Sequence, residues 1–268
     1  MPAFDPNGRG VVVTGAGNGI GAALARELAA RGARVVASDI DADGAARTVA
    51  EIAAAGGTAH AVTGDAASEE GVAALIATAR RELGTIDAWY ANAGVDRGRG
   101  LDTPESEWAL SLDVNVMAHV RAARLLVPEW VAAGEGRFVV TASAAGLLTM
   151  IGAPAYSVTK HAAVAFAEWL SVTYRHQGVV VQAICPQGVR TGMLERSGEL
   201  EELLSHDSAL DPGDVATLAV DALGGDDFLI LPHPEVAGYY AARATATDKW
   251  LHGMNKLQQR FETKENER

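Results

Sequence analysis

The sequence predicts an α/β fold in which a doubly wound parallel sheet of seven strands carries helices on both faces. Short β-branched runs alternate with Ala- and Leu-rich stretches along the 268 residues, and most of these runs are apolar at successive positions. Such strands are buried on both faces, as in parallel sheets whose crossovers are helices. No Pro- or Gly-rich linker divides the chain, so we expect one domain over residues 1–268.

The predicted strands are Val11–Val13, Val35–Ala37, Thr58–Val62, Ile86–Ala91, Phe138–Ala142, Val179–Ile184 and Phe228–Leu231. Apolar residues at three- and four-residue spacing predict helices at 20–31, 42–55, 69–83, 104–133, 154–176 and 212–223. Two segments depart from this alternation. Residues 190–210 form a connection longer than an αβ unit needs, which favours a substrate lid. Residues 235–261 have the pattern of a C-terminal helical extension.

Composition disfavours several classes of partner. With 22 basic and 34 acidic residues, the net charge is −12, which argues against binding a nucleic-acid backbone or an anionic membrane surface. The single cysteine, Cys185, forbids an intramolecular disulfide, and neither it nor the seven histidines show metal-ligand spacing. The first nine residues lack a secretory pattern. We therefore expect a cytoplasmic protein without a metal site, a membrane span or nucleic acid.

A glycine-rich loop follows the first strand and opens the first helix. It reads Thr14-Gly15-Ala16-Gly17-Asn18-Gly19-Ile20-Gly21. Gly15, Gly19 and Gly21 lack the side chains that would obstruct a tight turn, the approach of a pyrophosphate and close helix packing. The helix N-terminus offers free N–H groups to the anion. Because a strand and a helix flank the loop, a dinucleotide site is favoured over a flexible turn.

Residues after the next three strands refine this site. The second strand ends at Asp39, whose carboxylate can accept hydrogen bonds from both ribose hydroxyls and would repel a 2′-phosphate. Its neighbour Ile40 supplies no positive charge, so the prediction is NAD; an ordinary solvated loop acid is the alternative. The pair Asp65-Ala66 follows the third strand, where an adenine edge would lie. The fourth strand is followed by Asn92-Ala93-Gly94.

The helix at 154–176 carries the candidate catalytic pair. Tyr156 and Lys160 are four residues apart and share one face of the helix. A tyrosine has a pKa of about 10, but a nearby ammonium and an oxidised nicotinamide would both favour the phenolate and so lower that pKa. Ser143, just past the fifth strand, can hold a substrate oxygen. Each residue alone has an ordinary structural explanation, and the set gains weight because its members follow the carboxyl ends of strands, where ligands bind.

In these motifs the sequence resembles the short-chain dehydrogenase/reductase family, in its subclass of about 250 residues. The resemblance runs from about Gly10 to Pro232. It includes the loop at Thr14–Gly21, the turn at Asn92–Gly94, and the residues Asn115, Ser143, Tyr156 and Lys160. It implies a Rossmann-type sheet ordered 3-2-1-4-5-6-7. The expected cofactor contacts are at Gly15, Asn18, Gly19, Ile20, Asp39, Ile40, Asp65, Ala66, Asn92, Ala93, Gly94, Tyr156, Lys160, Pro186, Gly188, Val189 and Thr191.

The resemblance also implies catalytic roles. Tyr156 would act as acid and base, and Ser143 as substrate holder. Lys160 would bind the nicotinamide ribose and lower the pKa of Tyr156, and Asn115 would support a water in a proton relay. The family turn after the sixth strand usually has glycine where this chain has Gln187, whose side chain is therefore expected in the pocket. Long helices at 104–133 and 154–176 resemble those through which the family forms homodimers and homotetramers.

The predicted activity is that of an NAD-dependent oxidoreductase that interconverts a secondary alcohol and a ketone. The alternatives are an NADPH-dependent ketoreductase of an acyl thioester, a non-catalytic dinucleotide-sensing regulator and a Rossmann-fold methyltransferase. The expected substrate pocket contains Ala145, Met150, Gln187, Met193 and Leu194. Residues 195–227 hold ten acids against Arg196 alone, a net charge of −9. If part of this stretch borders the pocket, a small neutral or cationic organic alcohol is the better substrate.

Overall fold

The computed structural model describes residues 4–195 and 209–266, and within them seven strands form one parallel sheet. The strands are β1 (Gly10–Thr14), β2 (Arg34–Asp39), β3 (Thr58–Thr63), β4 (Ala88–Ala91), β5 (Gly136–Thr141), β6 (Val179–Ile184) and β7 (Leu229–Ile230). Their order is β3-β2-β1-β4-β5-β6-β7. The predicted Rossmann-type topology is therefore confirmed.

The helices are α1 (Gly19–Ala30), α2 (Ala42–Ala54), α3 (Glu69–Leu83), α4 (Glu105–Leu112), α5 (Ala118–Ala133), α6 (Ala145–Leu148), α7 (Pro154–Tyr174), α8 (Gly192–Glu195), α9 (Pro212–Asp221), α10 (Glu235–Thr245) and α11 (Thr247–Asn266). Two predicted helices are wrong as single elements. The stretch 104–133 is divided by a π-helical segment at Asp113–Met117. The stretch 235–261 is divided at Ala246, whose φ of −145° and ψ of 58° are not helical. None of the described helices is long and apolar enough to cross a membrane.

Each face of the sheet packs against its own set of helices. On one face, α3, α5 and α7 bury residues such as Leu75, Leu126 and Leu170 against the strands. On the other face, α1, α2 and α9 contribute residues such as Leu24 and Val215. Successive residues of β1 alternate between these two cores, which explains why the strand is apolar throughout.

The chain reverses direction across the sheet at β1. From β1 it moves to β2 and β3 on one side, and then returns to β4, which pairs with the other edge of β1. The loops after β1 and β4 therefore diverge at the carboxyl end of the sheet and leave a crevice between them. Ligands of open α/β sheets bind in such a crevice, and the predicted site residues lie around it.

Candidate active site

The loop after β1 requires glycine at two positions. Gly15 and Gly19 have φ values of 65° and 53°, which L side chains rarely adopt. A Cβ on Gly15 would lie 2.8 Å from Cα of Ala93, and one on Gly19 would lie 3.1 Å from Cγ2 of Thr191. Asn18 precedes α1 without a side-chain cap, so the first N–H groups of that helix remain available to an anion.

Asp39 is fixed against this loop. Its Oδ2 accepts a hydrogen bond from the backbone N–H of Gly17 at 2.7 Å, and its Oδ1 accepts one from the N–H of Asp41 at 2.9 Å. A Cβ on Gly17 would lie 2.8 Å from the carboxyl group, so only glycine permits this contact. Ile40 is 78% exposed beside it. The carboxylate is therefore held at the end of β2, next to the phosphate loop.

Thr14 and Asn92 join the loops after β1 and β4. The Thr14 hydroxyl accepts hydrogen bonds from the backbone N–H groups of Asn92 and Ala93, both at 3.0 Å. In return, the Asn92 side-chain amide donates to the Thr14 carbonyl at 2.9 Å. These bonds fix the separation of the two loops that flank the crevice, which adds a positioning role for both residues.

Asp65 is engaged by its own turn. Its carboxylate accepts hydrogen bonds from the backbone N–H groups of Ala67 at 2.8 Å and Ser68 at 3.3 Å, just before α3. The neighbouring Ala66 is half-buried. Asp65 thus shapes the loop after β3, and its predicted contact with an adenine edge stays a prediction.

Tyr156 and Ser143 meet at the carboxyl end of β5. Tyr156 is buried at 9% exposure beside Ser143, whose hydroxyl accepts a hydrogen bond from the Ala145 N–H at 3.1 Å. Burial raises the pKa of the phenol to about 12, and the Ser143 side chain opposes this increase while the negative charge of Asp96 adds to it. Among the protein's own groups, desolvation outweighs the favourable contacts. The predicted lowering of this pKa, which requires the oxidised nicotinamide beside the phenol, stays a prediction.

Lys160 lies one helical turn beyond Tyr156 and is 3% exposed. Its ammonium donates a hydrogen bond to the Thr141 carbonyl at 2.8 Å and lies 5.6 Å from the centroid of the Tyr156 ring. Burial lowers the pKa of Lys160 to about 8. The lysine is therefore still mostly charged at neutral pH, and the end of β5 holds it beside the tyrosine.

Asn115 lies in the π-helical segment and is fully buried. Its side-chain amide donates to the Val95 carbonyl at 2.9 Å and to the Thr159 hydroxyl at 3.0 Å, while its Oδ1 accepts from the Val95 N–H. Asn115 thus ties the loop after β4 to α7 around Lys160. Its implied support of a relay water stays a prediction.

The turn after β6 also reaches the crevice. The Pro186 carbonyl accepts a hydrogen bond from the Ala144 N–H at 2.8 Å, which joins this turn to the residue after Ser143. Gly188 and Val189 pair with Leu210 through backbone hydrogen bonds and a bridge. The two ends of the predicted lid at 190–210 therefore meet, and residues 196–208 of that lid lie outside the described part of the chain.

Three of the five predicted substrate residues surround the tyrosine. Ala145 and Tyr156 share a small apolar cluster, and Met150 and Met193 pack against it. Leu194 is buried at 7% exposure. The backbone N–H of Gln187 donates a hydrogen bond to Nδ1 of His233 at 3.1 Å. The predicted entry of the Gln187 side chain into the pocket stays a prediction.

Sequence reasoning missed a buried histidine near the site. His119 follows Asn115 by one helical turn, is 2% exposed, and has no hydrogen-bond partner for Nε2 among the described residues. Burial lowers its pKa to about 3, and the positive charge of Lys160 acts in the same direction. Only its one-turn spacing from Asn115 could have pointed to it. Among the residues that the structure describes, no three His, Cys, Asp or Glu side chains cluster as metal ligands would.

This topology, glycine loop and Ser-Tyr-Lys arrangement define an oxidoreductase with a site for a nicotinamide dinucleotide. The chain belongs to the short-chain dehydrogenase family, whose model matches residues 9–202. The positions of Gly15 and Gly19, where a Cβ would press against Ala93 and Thr191, and the uncapped start of α1 fit a loop that takes the pyrophosphate of such a cofactor.

Known proteins support this assignment. The chain is 36% identical over 248 residues to a 1-deoxy-11-beta-hydroxypentalenate dehydrogenase of Streptomyces exfoliatus, with 91% of this chain and 89% of the relative covered. A short-chain dehydrogenase/reductase from Burkholderia phymatum, solved with NAD, superposes with a TM-score of 0.85 at 30% identity and covers 91% of this chain and 96% of its own. A 7 alpha-hydroxysteroid dehydrogenase, solved with NADH and 7-oxo glycochenodeoxycholic acid, superposes with a TM-score of 0.78 at 28% identity. The superposition covers 85% of this chain and 95% of that structure.

Proposed function

We propose that this protein is an NAD-dependent dehydrogenase that interconverts a secondary alcohol and a ketone. The observation that carries the proposal is the buried Tyr156 phenol, which lies beside Ser143 and has the Lys160 ammonium 5.6 Å from its ring. A proton donor and acceptor, an oxygen holder and a fixed cation are the groups that carbinol oxidation requires.

In oxidation, Tyr156 removes the hydroxyl proton while the Ser143 hydroxyl keeps the substrate oxygen in place. In reduction, Tyr156 returns that proton. When bound, the nicotinamide supplies the hydride acceptor or donor. Burial opposes the phenolate, so its formation needs positive charge nearby; Lys160 supplies one such charge from its position on the Thr141 carbonyl.

The preference for NAD rests on Asp39. Its carboxylate is bonded to the Gly17 N–H at the end of β2, where a ribose would face it. A 2′-phosphate at this place would meet that negative charge, and the exposed neighbour Ile40 offers no cation to offset it. This argument favours NAD over the NADPH-dependent alternative. A cytoplasmic location remains a prediction from the single cysteine.

Two similar proteins suggest substrates with a hydroxyl group on a larger hydrocarbon framework. The Streptomyces exfoliatus relative is a hydroxypentalenate dehydrogenase, and the 7 alpha-hydroxysteroid dehydrogenase was solved with 7-oxo glycochenodeoxycholic acid. The apolar cluster of Ala145, Met150, Tyr156 and Met193 supports a hydrocarbon framework next to the reacting carbon.

We also propose a homo-oligomer that forms through α5 and α7. Between these helices lies an open apolar groove of about 480 Å³, lined by residues including Val127, Phe166 and Trp169. Trp169 is 54% exposed and Val172 is 83% exposed. Exposed apolar side chains at this density are typical of a protein interface.

The mechanism is tested with a Tyr156→Phe variant and a panel of secondary alcohols. We expect loss of NADH formation by several orders of magnitude, with NADH binding by fluorescence nearly unchanged. Tyr174→Phe, at the other end of α7, is the matched control and should keep its rate. Retained turnover in Tyr156→Phe would overturn the mechanism. A folded wild-type protein that binds NADH but oxidises no alcohol in the panel would reject the proposed function and leave the dinucleotide-sensing regulator. One that binds no NADH would reject both.

A further inference from the structure

A second, polar pocket opens beside the catalytic residues. It has a volume of about 290 Å³ and is lined by Gly94, Val95, Asp96, Arg97, Arg99 and Met193. Gly94 connects it to the catalytic lysine, since a Cβ there would lie 3.3 Å from Nζ of Lys160. Met193 connects it to the apolar cluster around Tyr156. A molecule that reacts at Tyr156 can therefore extend into this pocket.

The pocket has a net positive charge. Its one carboxylate, on Asp96, is 7% exposed and forms a two-pronged ion pair with Arg99, with N–O distances of 2.7 and 2.9 Å. Arg97 is exposed and forms no hydrogen bond or ion pair within the described part of the chain. Two guanidinium groups and one carboxylate give a net charge of +1, and the donors of Arg97 are available.

The backbone holds Arg97 in a defined place. The adjacent Gly98 has a φ of 73°, and a Cβ there would lie 2.1 Å from the Thr103 side chain. Beyond it, the Gly100 N–H donates to the Gly152 carbonyl at 3.0 Å, which anchors the segment to the loop that leads into α7. The segment with Arg97 is thus fixed relative to the helix with Tyr156.

We propose that Arg97 binds a carboxylate of the substrate, so that the enzyme acts on hydroxy acids and the corresponding keto acids. This inference rests on the proposed function and names its substrate class. A guanidinium fork matches the two oxygens of a carboxylate and has no acceptor of its own, so it favours an anion over a neutral amide. The Asp96–Arg99 pair takes up the one negative charge that would compete for Arg97.

This proposal departs from the neutral or cationic substrate expected from the acidic stretch at 195–227. Three of its acids, Asp211, Asp221 and Asp226, are described in ion pairs, with Arg190, Arg31 and Arg175 respectively. None of these three lines the pocket, whereas two arginines do. The charge that a substrate meets among the described lining residues is therefore positive.

The test compares acids with their primary amides as substrates. The probes are 4-hydroxycyclohexanecarboxylate and deoxycholate, each beside its amide, together with cyclohexanol and cyclopentanol. At low salt, kcat/KM should be at least tenfold higher for an acid than for its amide, and added salt should reduce this preference. Arg97→Gln should bring the ratio near one, mainly by raising KM for the acid. Arg81→Gln, in the last turn of α3 at 67% exposure, removes a charge elsewhere and should leave the ratio unchanged.

The outcomes separate this proposal from the function on which it rests. Equal rates for acids and amides, turnover of neutral alcohols only, or a preference that survives Arg97→Gln would overturn carboxylate recognition and leave the dehydrogenase intact. If the folded protein turned over neither acids nor neutral alcohols, the proposed function would fail together with this inference.

Discussion

Arg243, in the C-terminal helix α10, donates a hydrogen bond to Nε2 of His161 at 3.2 Å, on the helix that carries Tyr156 and Lys160. The same guanidinium donates to the carbonyl of Leu147 in α6. Nδ1 of His161 lies 2.9 Å from the Ser157 carbonyl, which assigns the ring proton to Nδ1 and leaves Nε2 as the acceptor. The tail thus joins two elements of the substrate site.

Removal of this link should destabilise the protein. For Arg243→Ala we expect a loss of about 1–3 kcal/mol in the free energy of unfolding, because the bonds to His161 and Leu147 are replaced by solvent. Urea unfolding measures the loss, and KM for the alcohol should rise because α6 carries Ala145. Arg260→Ala, exposed on α11, is the control. Equal stability of the two variants would show that the contact is dispensable.

The rate of alcohol oxidation should increase with pH. The base is the Tyr156 phenolate, and burial holds the pKa of the phenol at about 12 before any cofactor charge acts, so the reactive form becomes more abundant as protons are removed. We expect log kcat/KM to rise from pH 6 to 9. Lys160→Met should move the profile to higher pH because a stabilising cation is lost, and Lys160→Arg should move it less. A flat wild-type profile would contradict this assignment.

Neutralisation of Asp39 should shift the choice of cofactor. Asp39→Asn keeps an oxygen that can accept the Gly17 N–H but removes the charge that would repel a 2′-phosphate. The ratio of kcat/KM for NADP to that for NAD should increase at least tenfold. Asp41→Asn, two residues along, should leave it unchanged. If wild type itself prefers NADP, the argument from Asp39 is wrong.

His119 should make the fold sensitive to acid. Its pKa is lowered from 6.5 to about 3, so between these values the unfolded chain binds a proton that the folded chain does not. The free energy of unfolding therefore keeps its full value above pH 6.5, where His119 is neutral in both states, and decreases as the pH falls below 6.5. Between pH 7 and 5 the loss amounts to about 2 kcal/mol. Urea unfolding at equal protein concentration should show that His119→Gln lacks this part of the loss; an unchanged pH dependence would refute it.

Exposed apolar residues on α7 should hold subunits together. Light scattering after gel filtration should give a dimer or tetramer for wild type and a smaller mass for Trp169→Glu, because burial of a charge in the interface is unfavourable. Leu101→Glu, at a residue that is 97% exposed in a loop, should not change the mass. If the wild-type protein were a monomer, the proposed subunit interface at α5 and α7 would be wrong.

Most of the sheet was predictable because β1, β4, β5 and β6 are buried at every residue, and a continuous apolar run indicates such burial. β3 has no buried residue, and its prediction rested on β-branched residues and on its place in the alternation. The interruptions of the helices were not predictable from the sequence. The π-helical segment at Asp113–Met117, for example, has the same apolar spacing as a continuous helix. The Ser143, Tyr156 and Lys160 positions were predictable from spacing. The contacts of Arg243 with His161 and of Arg99 with Asp96 depend on where the tail and the β4 loop fold, and no local pattern records that.

The position of Cys185 has a practical consequence. It lies at the end of β6 with no exposed surface, and burial raises the pKa of its thiol to about 12. Thiolate is the species that reacts with maleimides and with peroxide, so this sulfur should be inert in the folded enzyme. A second cysteine, placed on an exposed loop, would then be the reactive one. The chain can thus carry a fluorophore at a single chosen position without prior removal of its native thiol.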